Sequence, residues 1–235
     1  MISIVIPVYN EEAILEKNIL QLFDFCQKNI AGDWQIIISD NHSTDTTPII
    51  AKGLAANHPN IKYFYLSETG KGRAVMSAWQ KFQSEVYVFM DADLSVSLAS
   101  LPALIAGIKS GADVVLGSRF ASGSSVQRSF VRRLISHFLR LILKVSLGLK
   151  VKDAPCGFKA VNQKVVDQII PQIKNQTWFF DTELIILAEG FGLKIQEIPV
   201  VWQEPKNAKR PSKVGLSKVI SEYLKNIYRL YSTRR

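Results

Sequence analysis

The 235-residue chain has only two cysteines, 13 glycines and nine prolines. That excludes a disulfide-stapled scaffold, a collagen-like repeat and a Gly/Pro-rich disordered chain. Cys26 and Cys156 read as lone buried thiols, as expected in a reducing compartment. No uncharged apolar run of about 18 residues occurs, so no transmembrane helix is predicted. Residues 2–6 are strand-like from the outset, with no basic stretch leading a long apolar core, so no signal peptide is expected. What is present is a 47% hydrophobic composition and 29 Lys and Arg against 20 Asp and Glu, a net charge of +9. The first suits one large α/β domain. The second implies an anionic partner: nucleic acid, a membrane surface or a phosphorylated substrate.

Short β-rich runs alternate with helical stretches over the first two-thirds. Strands are predicted at 2–8, 34–39, 61–66, 86–90 and 113–117, from continuous apolar runs that suit burial on both faces. Helices are predicted at 11–29, 45–57, 71–82 and 98–109, with Asp45 available as an N-cap or first-turn acid. This order predicts a mostly parallel sheet with helices on both faces. Beyond Phe120 the pattern changes to a Ser/Gly-rich loop at 121–127, a long basic and apolar helix at 128–149 and a short strand at 158–161. A helix at 182–190, a strand at 195–200, a basic Pro-containing loop at 206–213 and an amphipathic helix at 216–230 follow. No internal repeat and no long linker divides the chain.

In open parallel sheets ligands sit outside the carboxyl ends of the strands. Here those ends carry Tyr9-Asn10-Glu11, Asp40-Asn41-His42, Asp91-Ala92-Asp93 and Gly117-Ser118-Arg119. Two carboxylates at i and i+2 on extended chain point the same way and repel unless a cation lies beside them. Asp91 and Asp93 are therefore candidate ligands for Mg²⁺ or Mn²⁺, which favour oxygen donors and bridge to phosphate; the alternative is an exposed acidic turn. Arg119 can clamp a phosphate or be an ordinary surface residue. Lys71, between two glycines, can meet an anion together with nearby backbone amides, but the spacing is not that of a P-loop. Tyr9 can stack on a base or merely pack, and Asp40 can accept a base N–H or cap a helix. The three histidines form no metal-ligand cluster.

Val5-Ile6-Pro7-Val8-Tyr9-Asn10-Glu11-Glu12, Asp40-Asn41-His42-Ser43-Thr44-Asp45 and Phe89-Met90-Asp91-Ala92-Asp93-Leu94-Ser95 together resemble family 2 glycosyltransferases with the GT-A fold. Gly70-Lys71-Gly72-Arg73-Ala74-Val75, Gly117-Ser118-Arg119-Phe120 and Asp153-Ala154-Pro155-Cys156-Gly157-Phe158-Lys159 narrow the resemblance. They are similar to the dolichyl-phosphate glucosyltransferase and polyprenyl-phosphate mannose synthase branch. Phe180-Asp181-Thr182-Glu183-Leu184 and Glu197-Ile198-Pro199-Val200 continue the likeness.

The resemblance implies a donor half at 2–120 and an acceptor-binding, membrane-facing half at 121–235 of one GT-A domain. By it, Pro7, Tyr9, Glu11 and Asp40 hold the base and ribose of a nucleotide sugar. Lys71 lies in the donor pocket, Asp91, Ala92 and Asp93 meet the metal-diphosphate, and Arg119 and Arg132 face the acceptor phosphate. Asn41 stands where many relatives have a second acid and His42 where a glycine often follows, so base reading is assigned to Asp40. Ser95 stands where some mannose synthases have Gln and is not assigned to the metal.

The implied reaction moves a hexose, from UDP-glucose ahead of GDP-mannose, to a polyprenyl or dolichyl phosphate with inversion. A phosphate monoester has its second pKa near ~6 and needs no protein base. Asp181 is the acid placed to act as a base for a hydroxyl acceptor, with capping of a helix from Thr182 as its competing role. The alternatives are transfer to a saccharide hydroxyl, against which stands the lack of a Gln-x-x-Arg-Trp motif, and a basic nucleic-acid-binding module. The second leaves Asp91 and Asp93 unexplained, so no nucleic-acid partner is expected.

In 132–149, Ser136, Arg140 and Lys144 make one polar stripe on an otherwise apolar helix, which suits either a membrane interface or packing on the core. Lys206, Lys209, Arg210, Lys213, Arg229, Arg234 and Arg235 can add contact with anionic lipid. Peripheral attachment to the cytoplasmic face of a membrane, or a separate membrane partner protein, is expected.

Overall fold

Nearly continuous burial on both faces makes four apolar runs into central strands: β1 (Ile2–Val8), β2 (Trp34–Asn41), β4 (Val86–Met90) and β5 (Val114–Ser118). β3 (Ile61–Leu66), on the sheet's edge, is mostly half-buried or exposed. With β7 (Phe158–Asn162) and β8 (Ile195–Pro199) they form a seven-stranded sheet in the order β3-β2-β1-β4-β7-β5-β8. The computed structural model describes residues 1–127, 130–203 and 216–233, without the side chains of 130–132, 216–218 and 233.

All pairings in this sheet are parallel except those of β7, which runs antiparallel between β4 and β5, with Met90 opposite Phe158. The chain reaches β7 from the rim where β4 ends, so it must run the other way to re-enter the sheet. In a small parallel sheet β6 (Ser125–Gln127), where a loop was expected, pairs with β9 (Val201–Gln203).

Even-numbered side chains of β1 point to one core with α1 (Leu15–Asn29), α2 (Thr47–Asn57) and α4 (Leu101–Lys109). Val5 and Ile37 point to the other core. There α3 (Lys71–Lys81), α6 (Gln163–Gln168) and α7 (Phe180–Gly190) pack, with Leu143 and Leu147 of α5 (Phe130–Leu147) and Tyr223 and Ile227 of α8 (Leu216–Thr233). Each large apolar side chain so buried contributes about 1.5–3 kcal/mol.

Several element ends differ from the expected ones for local reasons. α1 starts at Leu15 rather than 11, because Glu11 donates its N–H to Thr47 Oγ1 and its carbonyl closes a turn with Ile14. α2 starts at Thr47, and Asp45 caps it from outside by accepting the Thr47 N–H. The 98–109 segment is a 3₁₀ turn (Leu98–Ser100) followed by α4, with Pro102 in the first turn of that helix. α6 was not expected; Asn162 caps it by accepting from Val165 N–H.

Candidate active site

β1 is flanked by β2 on one side and β4 on the other, so chain order reverses between β1 and β4. A topological switch of this kind opens a crevice at the carboxyl rim. Three of the strands at that rim run on into non-glycine residues with left-handed backbone: Asn10 (φ 55°), His42 (φ 64°) and Leu94 (φ 51°). Such strain costs on the order of 1–3 kcal/mol each and persists only where the surroundings impose it. Here they do. Asn10 accepts from Thr44 N–H at 2.7 Å and its own N–H donates to Ser43 Oγ at 3.0 Å. His42 Nδ1 lies 2.9 Å from the Tyr65 hydroxyl.

On the β1–β2 side, Tyr9 and Glu11, just past the end of β1, and Asp40, near the end of β2, reach one rim. Pro7 lies past the end of the β1–β4 ladder, which stops at Val5 opposite Phe89, so its missing N–H is tolerated. Asp40 is buried, and its carboxylate accepts from Ser43 N–H at 2.9 Å and from the Tyr63 hydroxyl at 2.8 Å. Burial and then Asp40 push the Tyr63 phenol pKa well up, so it stays a donor. Asn41 accepts the Gly70 N–H.

The glycines around Lys71 do not form the expected amide cradle. The Gly72 and Arg73 N–H groups donate to the carbonyls of Thr177 and Gln176, and Gly70's goes to Asn41. Glycine is required there for close approach: a Cβ on Gly72 would stand 2.6 Å from Phe180 Cβ. Lys71 itself is central to the site. Its Nζ is 2.6 Å from Asp91 Oδ1 and sits 5.0 Å from the Trp178 ring centroid and 5.4 Å from that of Phe89. Burial alone would lower its pKa, but Asp91, Asp181 and Asp93 outweigh burial and raise it, so the ammonium stays charged.

Asp91 and Asp93 share a cleft of about 160 Å³ with Ser95, Arg119, Cys156, Gly157 and Trp202. Asp93 Oδ1 accepts from Ser95 N–H at 3.0 Å. Its pKa is raised, first by burial and then by the charge of Asp91, so the cleft holds two like charges that a cation would relieve. Among the described residues no set of three or more His, Cys, Asp or Glu forms a closed cage. Two carboxylates in a cleft, with the remaining coordination left to ligand oxygens and water, fit a hard divalent ion carried with a phosphate.

Arg119 lies on the far side of the cleft and is held by Asp153. The Asp153 carboxylate accepts from the Arg119 backbone N–H and Nε at 2.8 Å each and from Nη2 at 2.7 Å. The side chain of Arg132 lies outside the described residues. So do Lys206, Lys209, Arg210, Lys213, Arg234 and Arg235.

Asp181 is not a cap: α7 begins at Phe180, which puts Asp181 inside its first turn. It is 4% exposed and 3.3 Å from Nζ of Lys159, which also donates to the Cys156 carbonyl. Burial, ahead of the opposing Lys159 and Lys71 charges, raises its pKa. Burial likewise pushes the free thiols Cys26 and Cys156 up to about 12. Asp153, Gly157, Lys159 and Trp178 are site residues that spacing did not assign. Asp153, Gly157 and Lys159 stood in one quoted motif, and that was their only signal.

The sequence profile of Glycosyl transferase family 2 matches residues 3–170. The chain belongs to glycosyl transferase family 2. It is a glycosyltransferase with a GT-A fold. It is 32% identical to the dolichol-phosphate mannosyltransferase of Pyrococcus furiosus, over 97% of this chain and 63% of that protein. It is 27% identical to the dolichyl-phosphate beta-glucosyltransferase of Saccharomyces cerevisiae, over 97% of this chain and 76% of that one. With glycosyltransferase AglD of Haloferax volcanii it shares 28% identity over 87% of its length, and it spans a third of that relative. The fold also matches glucosyl-3-phosphoglycerate synthase of Mycobacterium tuberculosis in complex with Mn²⁺, UDP and glucosyl-3-phosphoglycerate. The TM-score is 0.70 and the identity 20%, covering 99% of this chain and 79% of that one. Family membership sets aside the nucleic-acid-binding reading.

Proposed function

We propose that this chain transfers a hexose, UDP-glucose being the favoured donor, to a polyprenyl phosphate with inversion at the anomeric carbon. The observation that carries the reading is the convergence of Asp91, Asp93 and Arg119 on one cleft at the switch point. The names of the relatives support a lipid-phosphate acceptor.

In this reading Tyr9, Glu11 and Asp40 hold the nucleoside and Pro7 shapes the floor beneath it. Asp91 and Asp93 hold a divalent cation, which when bound offsets charge developing on the leaving diphosphate. Lys71 aims Asp91 through their 2.6 Å ion pair. Arg119 draws the acceptor phosphate toward the donor against their mutual repulsion. No proton must be removed from an anionic phosphate nucleophile, and the burial and pairing of Asp181 agree with that.

The acceptor side also meets lipid. α5 exposes Leu134, Phe138, Leu141 and Val145, spaced i, i+4, i+7 and i+11, while its Leu143 and Leu147 are in the core. α8, packed on α5, exposes Ile220, Leu224, Tyr228 and Tyr231. The two expected roles of the α5 segment thus fall on opposite faces of one helix. Arg133, Lys144 and Lys225 are exposed beside these rows, which suits an anionic membrane surface. No helix among the described residues is long and apolar enough to cross a membrane. We place the chain peripherally on the cytoplasmic face.

The deciding experiment is a panel of nucleotide sugars with Mg²⁺ or Mn²⁺, with and without a polyprenyl phosphate, scored for lipid-linked sugar. Product that requires the lipid phosphate is expected. Transfer only to a saccharide hydroxyl overturns the acceptor assignment.

A further inference from the structure

Residues 153–159 and Glu197-Ile198-Pro199-Val200 lie far apart in the sequence. The fold joins them. Glu197 lies on β8, and its Oε1 accepts from the backbone N–H groups of Lys152 and Asp153 at 3.1 and 3.2 Å. This anchors the start of the segment. Asp153, 1% exposed, then grips Arg119 by three hydrogen bonds: the backbone N–H, Nε and Nη2. A guanidinium carries five N–H groups in a rigid plane. Two are used on Asp153, so the plane is fixed and, among the described residues, three remain, on a side chain that lines the Asp91/Asp93 cleft.

Four residues later the same segment reaches the donor side. Gly157 lies so close to Asp91 that a Cβ there would stand 2.3 Å from Asp91 Oδ2. Ala154, between the ends, is buried, and the Arg119–Asp153 pair is almost wholly out of water. One short rigid segment thus touches the cation on the acceptor side at one end and the carboxylate on the donor side at the other.

We propose that residues 153–157 are a positioning strap in which Asp153, anchored by Glu197, sets the orientation of Arg119 toward the acceptor phosphate, while Gly157 seats Asp91. Asp153 is a positioning residue: it acts through Arg119. This rests on Arg119 meeting the acceptor phosphate, as proposed above.

The test is a double-mutant cycle on the purified chain, with Arg119→Ala, Asp153→Asn and the double variant. KM and kcat are measured separately for the lipid phosphate and for the donor, alongside thermal melting. Asp153→Asn keeps the shape and loses the charge. A fall of about tenfold or more in kcat/KM for the lipid phosphate is expected, with donor KM within about threefold of the parent. The double variant should be no worse than Arg119→Ala alone, because the two residues act as a unit. Losses that multiply in the double variant, or a normal Asp153→Asn beside an impaired Arg119→Ala, overturn the strap and leave the acceptor reading standing. A normal Arg119→Ala overturns both. If Asp153→Asn does not melt cooperatively, Glu197→Gln takes its place. It loosens the anchor without touching the guanidinium and should show the same acceptor-selective loss; an unaltered KM and kcat there overturn the proposal.

Discussion

The two sides of the crevice are built by different physics. The β1–β2 side is laced mainly by backbone amides and hydroxyls: Asn10 with Ser43 and Thr44, Glu11 N–H with Thr47, Asp40 with Ser43 and Tyr63. The β4–β7–β5 side is held by ion pairs: Arg119 with Asp153 and Lys159 with Asp181 almost wholly out of water, and Lys71 with Asp91 at the cleft, where the Asp91 side chain is exposed. Hydrogen-bonded loops can adjust around a planar base and a ribose. Buried ion pairs give far less, because moving one partner strands the other charge. In the proposed reaction the side held by ion pairs is the one that would bring two phosphate groups together against repulsion.

The comparison breaks first at Lys159. Lys159→Met keeps the length but leaves Asp181 buried and unpaired, and should cost about 3–5 kcal/mol in denaturant unfolding. The sign with pH is specific. An acid whose native pKa is raised is penalised while ionised, so the loss should be full above that raised native pKa. It should shrink as pH falls toward the ordinary carboxyl range. Adding Asp181→Leu should recover most of the stability; a Lys159→Met loss below about 1 kcal/mol would show that this side is no more rigid than the other.

Asp91→Asn and Asp93→Asn should each lower turnover by at least about a hundredfold, the scale of losing a preorganised electrostatic contact, and excess chelator should do the same to the parent. Melting should fall modestly for Asp91→Asn, which leaves the Lys71 ammonium without its carboxylate partner. For Asp93→Asn it should rise slightly as like-charge repulsion is removed. Full activity in either variant, or in chelator, removes the cation from the scheme.

Replacing Leu134, Phe138 and Leu141 by Ser should weaken sedimentation with anionic liposomes while melting stays unchanged. The same change at Leu139, Ile142 and Leu143 should unfold the protein, because Leu143 is in the core and the other two pack against it. Equal effects from the two triples would mean that α5 does not divide its faces.

The smallest effect is expected on the hydrogen-bonded side. Tyr63→Phe removes one bond to the Asp40 carboxylate and should cost about 1.5 kcal/mol at most, since water can replace the hydroxyl on a half-buried residue. Donor KM should rise more than acceptor KM; the reverse pattern would place Asp40 outside the donor pocket.

How much was legible differs residue by residue. Asp91 and Asp93 could be placed at the rim because an unbroken apolar strand must end there; what brings them into one cleft is a turn closed by the Leu94 N–H on the Asp91 carbonyl, not the extended chain expected. The Arg119–Asp153 pair could not, because the partners are 34 residues apart and any of 20 acids could have answered that arginine. Gly70 and Gly72 were misread as anion-binding amides because a glycine needed for a close backbone approach looks the same in sequence as one needed for a ligand.

By itself, then, the sequence determined the central strands and the longer helices, though not α6, β6 or β9, together with which ends carry polar groups and the family. Those depend on local periodicity and on motifs a few residues long. Only the tertiary structure decided the antiparallel course of β7, the seat of Asp181 inside α7 and the division of α5 into a core face and an exposed apolar face. Strand direction, charge partners and helix rotation are settled by what packs alongside, and packing joins residues that sequence distance keeps apart.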